Sequence, residues 1–287
     1  MGSPVARRPR SGWVRWLLRA VVIGYFGMLV VWPLVLVVQN TFADGLTSVR
    51  EALSDPQVTF ALWLTVQAAF WSVLINTVFG VGISLLLVRY RFAGRRVLST
   101  LIDLPLSVSP VVVGLALVLV YGGVHGWFGP TLEAAGIQVI FAMPGIVLAT
   151  AFVALPLVIR EVVPVLQEIG DEQEQAARSL GATAPQVFRR ITVPAIRWAV
   201  VYGVVLGLAR SLGEFGAVKI VSGNLVQNPQ TATLVVEQKY QDFEQSAAYA
   251  TSFLLAFAVV LCLIVVLLIR RGPRHEYRRP WCAQEVR

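Results

Sequence analysis

The 287-residue chain is short of charge, with only 14% Asp, Glu, Lys and Arg. Soluble domains carry about a quarter, which argues against a soluble enzyme, a disordered tail or a coiled coil. Cysteine and histidine are scarce. Cys262 lies in an apolar run and Cys282 in a basic tail, with no C-x-x-C, and His125 and His275 are not at metal spacing from either. That argues against a disulfide framework and a zinc site, and no metal ligand is assigned. The thiols read as one packed group and one tail group. Lysine is nearly missing: Lys219 precedes Ile220 and Lys239 precedes Tyr240. A Walker A loop needs Lys followed by Ser or Thr, so the chain cannot hold one. Asp and His are almost absent from the apolar runs, which argues against the convergent groups of an intramembrane enzyme. No catalytic residue is assigned.

What is present is apolar surface: 56% of residues are hydrophobic and the mean hydropathy is +0.71. A membrane span needs about 20 mostly apolar residues. Windows free of Asp, Glu, Lys and Arg run over residues 20–38, 60–88, 104–132, 134–159 and 245–269. The first, 19 residues long, is longer than a signal-peptide core, and Thr41-Phe42-Ala43 is a weak cleavage match. It reads as a retained first span. In the third, the glycines from Gly122 onward predict a helix end near Tyr121, and the fourth helix is predicted to begin between Gln138 and Pro144. A sixth stretch, residues 195 to about 221, is interrupted by Arg210, Glu214 and Lys219.

The basic residues decide orientation. Taken segment by segment between spans, their numbers run five, one, four, none, five, one and six, with Arg210 and Lys219 inside the sixth stretch. Cytoplasmic segments are enriched in Lys and Arg, so the alternation predicts six transmembrane helices with both termini in the cytoplasm. The net charge of +8 is then a topology code rather than a nucleic-acid footprint. Because a backbone in hydrocarbon must satisfy itself, the expected fold is all-α and polytopic. The predicted organisation is a cytoplasmic tail over 1–19, a membrane domain over 20–269 with a cytoplasmic loop at about 160–197, and a basic tail over 270–287.

That loop is the most informative segment. Asp171 follows Gly170 as a candidate N-cap, and Glu172 and Glu174 suit the positive end of a short helix. Gly181 stands where a left-handed C-terminal residue is needed. A second helix is predicted from Thr183 or Ala184, with Pro185 at its first position, stopping at Pro194. The product is a compact cytoplasmic knob.

In the next stretch Ala199, Gly203, Gly207 and Ser211 recur every four residues, a row that permits close helix approach. Two uses are open: packing within the chain, or packing at a subunit interface. Arg210 and Glu214 share a helix face and can neutralise each other. They form either an internal salt bridge or a polar pathway lining or gate. Gly213 and Gly216 flank Glu214 and Phe215, where the helix can bend or unwind.

Ala176-Ala177, Gly181, Ile191 and Val193-Pro194 are spaced as in the EAA signature of bacterial ABC importer permeases, which this loop resembles. Gln175 stands where that family often has Glu, and Val193 replaces Leu. The resemblance implies the ABC importer permease (MetI-like) fold. It also implies that the loop is a coupling helix docked on a separate ATPase, with Glu172, Glu174, Gln175, Ala176, Ala177, Gly181, Ile191 and Pro194 as its coupling residues. The string from Arg210 to Val218, and those over 196–206 and 220–224, are similar to permeases for sulfate and related oxyanions, most like the W-type subunits of sulfate/thiosulfate importers. The likeness covers about residues 16–269, and the T-type paralogues and the molybdate permeases share parts of it. It implies a bacterial inner-membrane subunit moving sulfate or thiosulfate, or alternatively molybdate, tungstate or another oxyanion. The implied partners are a second, T-type permease in a heterodimer, two ATPase subunits and an extracytoplasmic sulfate-binding protein. ATP and magnesium belong to the ATPase and no cofactor to this chain. Arg210, Gly213, Glu214, Phe215 and Gly216 are the pathway or gate candidates.

Overall fold

The computed structural model describes residues 12–43, 45–223 and 229–271. Arg7, Arg8, Arg10, Asn224 and the tail from residue 272 lie outside the described residues. Every described regular element is a helix.

The chain opens with α1 (Gly12–Phe26), a π-helical turn (Gly27–Val31) and α2 (Trp32–Thr41). Together they make an apolar rod, Arg15–Thr41, whose most apolar stretch is wholly unburied. Short α3 (Thr47–Ser54) leads to α4 (Pro56–Arg89). Asp55 starts α4 by accepting the Gln57 N–H at 2.8 Å, and Pro56 takes the first-turn place where a missing donor costs nothing. After α5 (Arg95–Ser107), α6 (Pro110–Tyr121) and α7 (Gly129–Ala134) comes the central helix α8 (Met143–Ile169). It has 61% of its most apolar stretch buried. The remaining helices are α9 (Glu172–Ser179), α10 (Ala184–Val187), a second π-helical turn (Phe188–Thr192), α11 (Val193–Leu212), α12 (Gly216–Val221), α13 (Ala232–Gln241) and α14 (Gln245–Arg271).

Helices α4, α8 and α11 form the packed centre. A Cβ on Gly80 of α4 would come 2.9 Å from Val158 Cγ1, and one on Gly203 of α11 would come 2.8 Å from Val158 Cα. Val158 of α8 is thus held between two bare backbones. Gly207 faces Val73, 3.5 Å from its would-be Cβ, and Ala199 and Ser211 are buried. The small-residue row therefore packs within this chain, which decides between its two readings.

Among the described residues, five helices are long and apolar enough to cross a membrane, and a sixth crossing exists when α5 and α6 are taken as one broken span. The two axes differ by 112°. The uninterrupted apolar window over 104–121 is therefore not one straight helix. The cause is local: Pro110 disfavours helical backbone at the preceding Ser109, which sits at ψ 133. Alone, α6 is about 18 Å long at 1.5 Å per residue, short of a hydrocarbon core of about 30 Å.

Two predicted helix ends also move. Helix α8 begins at Met143, inside the predicted interval, but continues past Arg160 to Ile169. The helix that enters Pro194 does not stop there. The π turn widens the backbone just before it, with Val193 N–H donating to Phe188 O. A proline normally lacks a donor and crowds the carbonyl four residues back. The wider turn makes room for the ring, and Pro194 opens α11 instead of closing α10. The sixth apolar stretch, by contrast, ends early, at Leu212, with α12 as a separate piece.

Candidate coupling knob and charged helix break

The knob is built as a helix, a turn and a helix. Asp171 begins α9 through its backbone, whose carbonyl accepts the Gln175 N–H at 2.9 Å. Its carboxylate does not cap the helix; Oδ2 accepts the Gln175 side-chain amide at 2.7 Å instead. The helix ends in a Schellman turn. Ala182 N–H donates to Ala177 O and Gly181 N–H to Arg178 O, both at 3.0 Å. Gly181 has φ +84, the left-handed conformation that an L side chain resists. This turn leaves Leu180 at the tip, 89% exposed. Thr183 N–H donates to Gln186 Oε1 at 2.8 Å, half of a capping box that starts α10.

The coupling residues named from the sequence divide by burial. Glu172, Gln175, Ala176, Gly181 and Pro194 are exposed, and Ala177 and Ile191 are half-buried. Glu174 is turned inward and is 5% exposed. Its role exceeds that of a charge at a helix start. Arg89, the last residue of α4, grips it with Nε to Oε2 and Nη2 to Oε1, each at 3.2 Å. Thr192 Oγ1 adds a hydrogen bond to Oε1 at 2.9 Å. The same guanidinium donates to Leu166 O at 3.2 Å and Gly170 O at 2.7 Å, satisfying carbonyls at the end of α8. Arg89, Thr192 and Leu180 were not picked out from the sequence. In the sequence Arg89 reads only as a topology charge, and Thr192 falls between motif positions.

The second cluster lies where α11 breaks. Arg210 Nη1 and Glu214 Oε2 are 2.7 Å apart, with side chains 40% and 2% exposed. Glu214 also bridges the break: Oε1 accepts the Ala217 N–H of α12 at 3.1 Å, and its backbone carbonyl accepts Thr233 Oγ1 at 2.9 Å. The pair is therefore a salt bridge whose acid is buried and whose base faces outward. A Cβ on Gly216 would sit 3.2 Å from Pro110. One on Gly114 of α6 would come 2.8 Å from Ala217 O. Those close approaches clamp α12 on the elbow of the broken span. At Gly213 no atom restricts a side chain. Phe215 is partly exposed and lies beneath Lys219, whose Nζ is 5.3 Å from the ring centroid. Lys219 is also ion-paired with Glu237 of α13.

Two features lie away from these clusters. A groove of about 180 Å³ in the α5–α6 elbow, lined by residues such as Val112, Leu117 and Phe152, is apolar throughout and offers an oxyanion nothing. At the far end of α4, Lys239 joins Asp55 at 3.0 Å and Glu244 at 2.7 Å. Contact with Glu244, then Asp55, holds the Lys239 ammonium above its ordinary value against the effect of burial. Burial pushes the Asp55 carboxyl up, but the Lys239 and Gln57 hydrogen bonds outweigh it and leave it below its ordinary value.

Residues 77–272 match the family of binding-protein-dependent transport system inner membrane components. The chain is 42% identical over 268 residues to the sulfate transport system permease protein CysW of Synechocystis sp., covering 93% of this chain and 97% of that protein. It is 39% identical over 216 residues to the sulfate transport system permease protein CysT of Salmonella typhimurium, covering 75% of this chain and 78% of that one. Its fold is similar to that of a bacterial ABC transporter solved in complex with an alginate-bound periplasmic protein, with a TM-score of 0.72 at 18% identity over 90% of this chain and 92% of that one. A membrane-length helical bundle, a knob with the spacing of the importer signature and a match over most of the chain agree: the chain belongs to the family of binding-protein-dependent transport system inner membrane components.

Proposed function

We propose that this chain is a transmembrane permease subunit of an ATP-driven importer that moves sulfate or thiosulfate across a bacterial inner membrane. The observation that carries the coupling part is the knob, an exposed helix–turn–helix with Leu180 at its tip. The substrate class rests on the sulfate transport system permeases to which nearly the full chain is similar. Both termini lie in the cytoplasm in this reading, on the same side as the knob. The partners are a T-type permease, two ATPase subunits and an extracytoplasmic binding protein, and ATP and magnesium act in the ATPase. The alginate transporter solved with its periplasmic protein supports the binding-protein arm.

The pathway follows from charge and dielectric. A doubly charged anion is costly to desolvate, so a route for it needs fixed dipoles and a cation rather than an apolar groove. Arg210, held by Glu214 yet 40% exposed, supplies a cation beside the helix break. In the alternating-access cycle of this reading, the ATPase moves the knob, the central helices follow, and the break at Gly213–Phe215 changes its exposure.

Copurification tests the docking step. Leu180→Asp puts a charge on the apolar tip, and the ATPase subunit is expected to be lost from the purified complex together with uptake. A Leu180→Asp chain that retains both would remove the knob from the interface. Gly181→Asp is the companion variant, with the same expected loss.

A further inference from the structure

In the coupling reading, ATPase motion reaches the membrane through α9, and the backbone path from α9 to α8 runs through Gly170. Gly170 has φ +70, its C-terminal neighbour Asp171 does not cap α9, and a side chain at Gly170 would meet open space. On backbone grounds alone, the knob would swing on this residue and lose its displacement there. The side chains say otherwise. One guanidinium, 13% exposed, ties the end of α4 to the last carbonyls of α8 and to Glu174 of α9. Glu174 in turn holds Thr192 at the base of α11. The four elements that meet at the cytoplasmic end are thus joined through one buried ion pair. A buried Arg–carboxylate fork has a fixed planar geometry, so it transmits displacement in a way that a flexible surface pair does not.

We infer that the Arg89–Glu174–Thr192 clasp is the mechanical link of the permease: Arg89 is a positioning residue that makes the coupling helix move as one body with α4, α8 and α11 instead of pivoting on Gly170. This inference rests on the coupling reading above. It locates the bending of the cycle away from the junction of α8 and α9. The exposed pair Arg160–Asp103, at 2.9 Å, joins α5 to the same body from its solvent side and contributes less, because water screens it.

The test uses the full chain assembled with its second permease and ATPase in proteoliposomes, with the binding protein supplied and radiolabelled sulfate as probe. Arg89→Gln is expected to copurify with the ATPase and to lower sulfate taken up per ATP hydrolysed by roughly 3- to 30-fold, the usual range for a coupling residue. Arg89→Lys, which keeps the charge and loses the fork, is expected to fall between it and the wild type. Thr192→Val, the mildest change, is expected to show a smaller loss. A second readout needs no substrate. Spin labels at Tyr90 and Ser179, with Cys262 and Cys282 replaced by Ser, are expected to keep one distance when ATP is added. In Arg89→Gln that distance is expected to broaden. An unchanged ratio of uptake to hydrolysis in Arg89→Gln overturns the inference, and so does an ATP-dependent change in the wild-type distance. Loss of the ATPase from Arg89→Gln while Thr192→Val stays wild type in coupling also overturns it, leaving the clasp a purely folding role. If Gly181→Asp keeps both ATPase and uptake, the docking reading fails instead, and the distance measurement still reports on the clasp.

Discussion

Single residues set where this chain is tight and where it carries charge. Val158 is wedged between Gly80 and Gly203, so Gly203→Leu is expected to destabilise by about 1–3 kcal/mol through overpacking, read as a lower Tm in detergent. Glu214 holds the outward-facing Arg210 and closes the helix break. Glu214→Ala is expected to reduce uptake by roughly tenfold, equivalent to about 1.4 kcal/mol, with a smaller loss of assembled complex. Normal uptake by a well-expressed variant would return the pair to a structural role. The Asp55–Lys239 contact has a pH signature. The Asp55 carboxyl lies below its ordinary 3.8 in the folded chain, so its contribution is present above that value and is lost as pH falls through the lowered pKa. Lys239 lies above its ordinary 10.5, so its contribution is complete below that value and fades as pH rises through the raised pKa. Asp55→Asn is expected to remove the acid arm of the Tm profile attributable to this pair. Residue-level roles were only partly legible in the sequence. The Arg210–Glu214 pair shows because its partners are only four apart in the sequence, although α11 ends at Leu212 between them. Glu174 does not, because its partner Arg89 is 85 residues away, and no periodicity announces a contact of that range.

At the scale of elements, composition and local chemistry explain most of the helices. Long apolar windows give α4, α8 and α14, and a glycine with a fixed left-handed role gives the turn after α9. Gly181→Val is expected to cost about 1–2 kcal/mol at this turn, seen as weaker ATPase retention without loss of the membrane bundle. The misplaced boundaries share a cause. Averaging hydropathy over a window is blind to the Ser109-Pro110 dipeptide, which splits one apolar run into α5 and α6 at 112°. It is equally blind to a π turn, which lets a helix pass Pro194 where proline chemistry alone predicts a stop. The continuation matters for function: it makes α10, the turn and α11 one path of 29 residues from the knob to the helix break, Ala184–Leu212.

At the scale of the molecule, a bundle centred on α4, α8 and α11 presents a knob at one end and a broken, charged helix within. The first apolar rod stays outside the packed centre and shows its side chains to whatever surrounds the chain. Orientation follows from the basic residues, and cysteine labelling checks it. A cysteine at Thr183 is expected to react only with reagent from the cytoplasmic side, and one at Phe243, 86% exposed, only from the opposite side. Labelling of both from one face would contradict the six-crossing arrangement. ATP-driven sulfate transport by this chain is read in the uptake of labelled sulfate by cells lacking this gene and complemented with it. The wild-type chain is expected to restore uptake that unlabelled sulfate and thiosulfate compete, and molybdate competes only weakly. Restored molybdate uptake with sulfate uptake unaffected by the gene would contradict it.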